Sequence, residues 1–184
     1  MTAEILIHDA TVLTVDERNR LFERGTVRIE DGEIVEVRRS RDADRDADAD
    51  HVIDGEGMLA MPGLVNAHTH LELTPLIGAF SDLGLAEMMG SMTAIYERLA
   101  EDDLDYLADA GAELAALNFL LGGVTTVNSM DARPGTGPET FGEAGLRGFF
   151  GPAISDLFLD VPVDEQFERA REFVDEHHDS YDGR

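Results

Sequence analysis

Two histidines, His68 and His70, stand two residues apart at the end of the apolar run Gly63-Leu64-Val65. Side chains at i and i+2 of a strand leave the backbone on the same side. Two neutral imidazoles so placed can share one divalent metal ion. Such an ion lowers the pKa of a bound water from about 15.7 to roughly 7 and polarises the carbon under attack, so hydroxide becomes available at neutral pH. A bare His-x-His is more often a pair of ordinary histidines in a turn. Pro62-Gly63 ahead of the run and Asn66 beside the pair make this one more specific. The chain has no cysteine, so any metal must be held by histidine and carboxylate. Zinc is the first expectation, with iron(II) and manganese(II) open because imidazole serves all three.

Other residues join this pair as candidates. Glu72 lies two positions beyond His70, placed to meet a substrate amino group or ring nitrogen, or to bond backbone. Asp82 falls in the loop after the strand and is a further substrate-contact candidate, against a helix-cap or surface role. Asn66 is read as a residue that orients the metal site through a hydrogen bond, or that satisfies buried backbone. Ser129, Met130, Asp131 and Arg133 follow a second strand and either line the same mouth or are exposed loop residues. His177 and His178 close a helix, where a cation is favourable at the negative end of the dipole. His8 and His51 read as surface residues.

The elements that must position these groups change character along the chain. Residues 1–60 read as short strands: Glu4 to His8, Thr11 to Val15, then Gly25 to Glu30 and Glu33 to Arg38 around the hairpin turn Asp31-Gly32. Residues 39–50 form a charged, low-complexity stretch that reads as a solvated loop. From Gly63 onward strand and helix alternate. Leu64 to Asn66 is an apolar strand, and Leu85 to Leu99 is helical. A longer helix is capped by Asp102 or Asp103, with Leu104, Leu107, Gly111, Leu114 and Leu121 at helical spacing. Gly122-Gly123 ends it, and β-branched Val124 to Val127 follows as a second strand. Leu146 to Ile154 reads as a third strand and Val163 to His178 as an amphipathic helix. Nearly continuous apolar strands alternating with helices mean a parallel sheet covered by helices. Side chains at the C-terminal ends of such strands enter the mouth where ligands bind.

Composition narrows the partners. Fourteen basic residues, all arginine, face 39 acidic ones, for a net charge of −25. Nucleic acid and anionic membrane surfaces would be repelled, so neither is expected as a partner; a small-molecule substrate is. The excess acid reads most simply as adaptation to high salt, where screening removes most self-repulsion. The N-terminal residues lack a basic region followed by a long apolar run, and no apolar stretch approaches the roughly 18 residues that span a bilayer. A soluble, cytoplasmic chain without a signal peptide is the expectation.

Three segments, taken together, resemble a known family. Met61-Pro62-Gly63-Leu64-Val65-Asn66-Ala67-His68-Thr69-His70, Gly122-Gly123-Val124-Thr125-Thr126-Val127 and Gly145-Leu146-Arg147-Gly148-Phe149-Phe150 are similar to the first three barrel strands of the amidohydrolase superfamily. The nearest branch holds the chlorohydrolase-like, adenosylhomocysteine, guanine and cytosine deaminases. The segment ending in Val52-Ile53-Asp54-Gly55-Glu56-Gly57 resembles the half-sandwich that precedes that barrel. The resemblance covers essentially the whole chain. It implies an α/β fold: an incomplete (β/α)8 TIM barrel, about its first three strands, in residues 61–184, after a small β-sandwich segment in residues 1–60. A full barrel needs roughly 250 residues. By the same resemblance His68 and His70 are the first two metal ligands. The other ligands, two histidines and an aspartate, and a proton-transferring glutamate are then expected downstream of Arg184, which leaves the catalytic residues unassigned. The implied activity is hydrolysis of non-peptide C–N bonds, foremost deamination of a nucleobase-like or nucleoside-like substrate. Cyclic-amide hydrolysis of the dihydroorotase-like or imidazolonepropionase-like kind is one alternative. A catalytically inactive fragment or interaction piece is the other.

Overall fold

The computed structural model describes residues 3–156, 159 and 161–183. The chain divides into two compact units, residues 1–62 and 63–184. Met1, Thr2 and Arg184, which the sequence reading includes, lie outside the described residues.

The first unit is one five-stranded mixed sheet. Its strands are β1 (Ile5–Leu13), β2 (Leu21–Glu30), β3 (Glu33–Arg39), β4 (His51–Asp54) and β5 (Leu59–Ala60), in the order β3-β2-β1-β4 with β5 also on β1. Asp31 and Gly32 take the positive φ that a two-residue hairpin needs, and β2 and β3 pair antiparallel across them. The two expected strands at 4–8 and 11–15 are one strand. Asp9, at φ +59, breaks its pairing register with β2, and the apolar pattern lapses there. Ala10, Val12 and Val27 form the core.

Asp9 and Asp44 explain two corrections. The charged stretch is not a solvated loop throughout: Asp42–Asp46 forms a 3-10 turn whose Asp44 is buried. Asp44 accepts hydrogen bonds from Arg38 at 2.6 and 2.7 Å, from Thr26 Oγ1 at 2.8 Å and from the Arg41 amide at 2.8 Å. His8 is buried rather than at the surface, 5% exposed, with Nδ1 3.2 Å from Asp9. Asp9 is also paired to Arg24 and, at 3.0 Å, to Arg45.

These pairs set an acid response. The hydrogen bond from Arg24 beside Asp9 holds its carboxyl down at about 2, and the hydrogen bonds from Arg38 hold Asp44 well below the usual carboxylate range. A depressed folded-state pKa contributes stability that is complete above the ordinary aspartate value near ~4 and is lost as pH falls towards the folded value. We expect the first unit's thermal midpoint to fall between about pH 4 and pH 2. An Arg38→Met variant should lose part of that dependence in melts followed by circular dichroism.

The second unit holds three parallel strands, β6 (Leu64–Thr69), β7 (Val124–Asp131) and β8 (Arg147–Pro152), in that order. Along β7 burial alternates: Val127, Ser129 and Asp131 are buried, Asn128 and Met130 exposed. The buried side packs on helices α2 (Glu101–Leu121) and α3 (Gly137–Glu143) through Leu71, Ala112, Ala115, Ala116, Val127, Phe141 and Leu146. A shorter helix, α1 (Leu85–Tyr96), precedes α2, and α4 (Val163–His177) follows β8.

The structure corrects the reading of α2. Its N-cap is Ala100, so Asp102 and Asp103 sit in the first turn, favourable at the positive end of the helix dipole. Leu104 and Gly111 are buried as expected, but Leu114 is 40% and Leu121 80% exposed. The buried stripe is instead made of Ala108, Ala112, Ala115 and Ala116. No helix among the described residues is long and apolar enough to cross a membrane.

Candidate metal centre

The histidine pair is built by β6. Gly63 immediately precedes it, where a Cβ would lie 2.2 Å from Thr125 Oγ1, so only glycine lets the strand start so close to β7. Pairing then runs Leu64 to Val124, Val65 to Thr126, Asn66 to Val127 and Thr69 to Ser129. Two residues of β6 lie between Asn66 and Thr69, but only one of β7 lies between their partners. This is the extra residue of a β-bulge, a device that re-aims side chains beside functional sites.

Asn66 pairs with fully buried Val127 and lines, together with Thr69 and His70 and with Ala115 and Phe119 of α2, a cavity of about 350 Å³. Its Oδ1 accepts the His68 amide at 3.3 Å, so it steadies the backbone of the pair. The rings of His68 and His70 meet edge to face, centroids 4.9 Å apart. His70 Nδ1 faces the Met130 carbonyl. A carbonyl oxygen only accepts, so Nδ1 carries the proton and Nε2 keeps its lone pair. One free imidazole nitrogen beside a second imidazole fits a borderline-soft divalent cation.

Beyond His70 the chain turns through a 3-10 segment, Leu71–Leu76, in which Glu72 is 6% exposed. Of the two roles open to Glu72 in the sequence, the structure shows the backbone one. Its carboxylate accepts the amides of Ala132 at 2.9 Å and Arg133 at 3.0 Å, and its own amide donates to Asp131 Oδ1 at 3.3 Å. Ser129 Oγ lies 2.5 Å from Asp131 Oδ2 and 3.3 Å from the Thr69 carbonyl. Ser129 and Asp131 are therefore buried, not exposed loop residues, while Met130 is 48% exposed. Burial pushes the carboxyl groups of both Glu72 and Asp131 above their ordinary values, and Asp131's negative charge adds to the rise at Glu72. Burial, with these two carboxylates near, also raises the Tyr96 hydroxyl.

The remaining candidates fall elsewhere. Asp82 is exposed at φ +67, and no described hydrogen bond ties it to the pair. Arg133 turns away to Glu101 at 2.7 Å and Asp105 at 2.8 Å, pinning the loop after β7 to α2. His177 ends α4 with Nδ1 3.4 Å from Glu139, and His178 is its C-cap, so both are helix-terminal. Sequence reasoning passed over Asn128, whose Nδ2 donates to the Ala67 carbonyl at 3.1 Å and ties β7 to the bulge. A polar residue inside a β-branched strand was the available signal.

A second cluster of ligating side chains, His8, Asp9 and Asp54, lies in the first unit with ligand atoms within 4.8 Å. Arg24 and Arg45 already neutralise Asp9. Two guanidiniums would repel a cation, so the cluster is a charge network.

No family model matches the chain. It is 33% identical over 184 residues to a 5'-deoxyadenosine deaminase of Methanococcoides burtonii, covering 99% of this chain and 40% of that protein. It is 32% identical over 187 residues to a 5-methylthioadenosine/S-adenosylhomocysteine deaminase of Halothermothrix orenii, covering 98% of this chain and 41% of that protein. Among solved structures, an adenosine deaminase from Xanthomonas campestris with bound zinc matches with a TM-score of 0.82 at 28% identity, covering 97% of this chain and 40% of that one. The chain thus spans about 40% of the length of the curated relatives it matches. With nearly all of its residues, the histidine strand included, aligned to deaminases, the chain belongs to the amidohydrolase superfamily.

Proposed function

We propose that residues 61–184 are the first three strands of a (β/α)8 barrel and that residues 1–60 are the small β domain that precedes it in the chain. His68 and His70 then supply two ligands of a divalent metal, zinc first, in an aminohydrolase for an adenosine-like substrate. One observation carries this reading: the two imidazoles meet at the C-terminal end of a parallel strand, with His70 Nε2 left free to ligate. The zinc in the Xanthomonas campestris structure supports the metal, and the adenosine analogues in the relatives' names support the substrate class. A bound cation would supply Lewis-acid charge and a lowered pKa for water in the mouth. This chain's own residues hold that place: Asn66 fixes the His68 amide, Met130 fixes the His70 ring, and Glu72 holds the flanking loops together. Two imidazoles leave a tetrahedral ion short of protein ligands, so the remaining ligands and the general acid come from polypeptide outside residues 1–184.

The test is ammonia release from 5'-deoxyadenosine and 5-methylthioadenosine by the full translation product containing these residues, with zinc supplied. His70→Ala should lower kcat/KM by more than the roughly 10–100-fold that loss of an outer-shell partner costs. Residues 1–184 alone should release no ammonia. Ring opening of a cyclic amide without ammonia, or turnover unaffected by His70→Ala, would refute the proposal.

A further inference from the structure

We propose that Glu72 is a positioning residue: with Asp131 it fixes the backbone around Met130, whose carbonyl holds His70 in the Nδ1-protonated form that presents Nε2 to the metal. The inference rests on reading His70 as a ligand, and it adds what keeps that ligand in order. An unconstrained neutral imidazole prefers its proton on Nε2, the tautomer that would aim a hydrogen instead of a lone pair at the ion. The Met130 carbonyl reverses that preference only if it stays in place.

Met130 is half-exposed, and its own side chain does not anchor it. Its neighbours do. On one side Ser129 Oγ bridges the Thr69 carbonyl and Asp131. On the other, both oxygens of Glu72 take the successive amides of Ala132 and Arg133, while the Glu72 amide binds Asp131. Glu72 is two residues from His70 in the chain, so one side chain ties the ligand's loop to the loop that orients the ligand. Both carboxylates are buried, and both are spent on loop geometry. A carboxylate is the right group, because two adjacent N–H donors need two acceptors. Glutamine would turn an N–H₂ towards one of them.

The experiment uses residues 1–184 with ¹⁵N-labelled histidine and no metal. Long-range ¹H–¹⁵N spectra report the tautomer of each of the six histidines. Wild type should show His70 with its proton on Nδ1. In Glu72→Gln the signal should move towards the Nε2-protonated form, and zinc affinity should fall roughly 10–100-fold. Glu72→Asp, which keeps both acceptors on a shorter arm, should restore part of it. Asp131→Asn should shift His70 in the same direction and carries the test if Glu72→Gln does not fold. A wild-type His70 protonated on Nε2, or an unchanged His70 in a folded variant, would overturn the proposal. If the tautomer depends on Glu72 but zinc leaves the His68 and His70 signals unmoved, the positioning stands and the ligand reading fails.

Discussion

Phe141→Ala should cost the parallel-sheet unit about 3–5 kcal/mol. Phe141 is fully buried on α3, with ring centroids 6.1 Å from Phe119 of α2 and 5.3 Å from Phe150 of β8, both tilted towards edge-to-face geometry. It is the point where two helices and the sheet meet. Truncation removes the transfer free energy of the ring and leaves a cavity, and each lost aromatic pair adds about 0.5–1.5 kcal/mol. Whole domains are stable by only about 5–15 kcal/mol, so such a loss should remove a large share of this unit's stability. Urea unfolding followed by circular dichroism measures it, and an unchanged slope would show that compactness is kept. Phe141→Leu, nearer in volume, should cost clearly less. A Phe141→Ala loss under about 1 kcal/mol would mean that the site collapses freely and that the core is centred elsewhere.

Gly111→Ala should destabilise the same unit by about 1–3 kcal/mol, although alanine is the better helix former by up to ~1 kcal/mol. The sign is decided by contact. A Cβ on Gly111 would lie 2.5 Å from the Leu71 carbonyl oxygen and 3.1 Å from Glu72 Cα. These are backbone atoms of the turn just after His70, so relief requires moving that turn away from α2 and loosening the Glu72 bridge. Weaker zinc binding should therefore accompany the stability loss. Gly90→Ala in α1, where nothing lies within 4 Å, is the control and should be neutral or stabilising. Equal effects of the two substitutions in thermal melts would show that α2 does not lean on the turn.

The contact at Gly111 also explains where the sequence reading of α2 went astray. The helix carries leucines and alanines on different faces, and spacing alone finds both. Close approach to the backbone of Leu71 admits only small side chains, so the alanine face is buried and Leu114 and Leu121 stay exposed. His8 and Asp44 were misjudged for a related reason. Polar residues in charged or short-strand contexts read as surface, and only their partners Asp9, Thr26 and Arg38, brought together by the sheet, make burial affordable.

What the sequence by itself determined was local and periodic. The i, i+2 spacing placed two imidazoles on one side of a strand, Asp31-Gly32 closed a hairpin, and β-branched and apolar runs formed a parallel sheet. These follow from backbone geometry within a few residues. What only the tertiary structure decided was pairing between distant segments. The bulge between Asn66 and Thr69 appears only against β7, so it could not be read from β6 alone. Glu72 is likewise assigned to loop geometry by amides about sixty residues away along the chain. A carboxylate has the same chemistry in either role, and the donors that reach it choose between them.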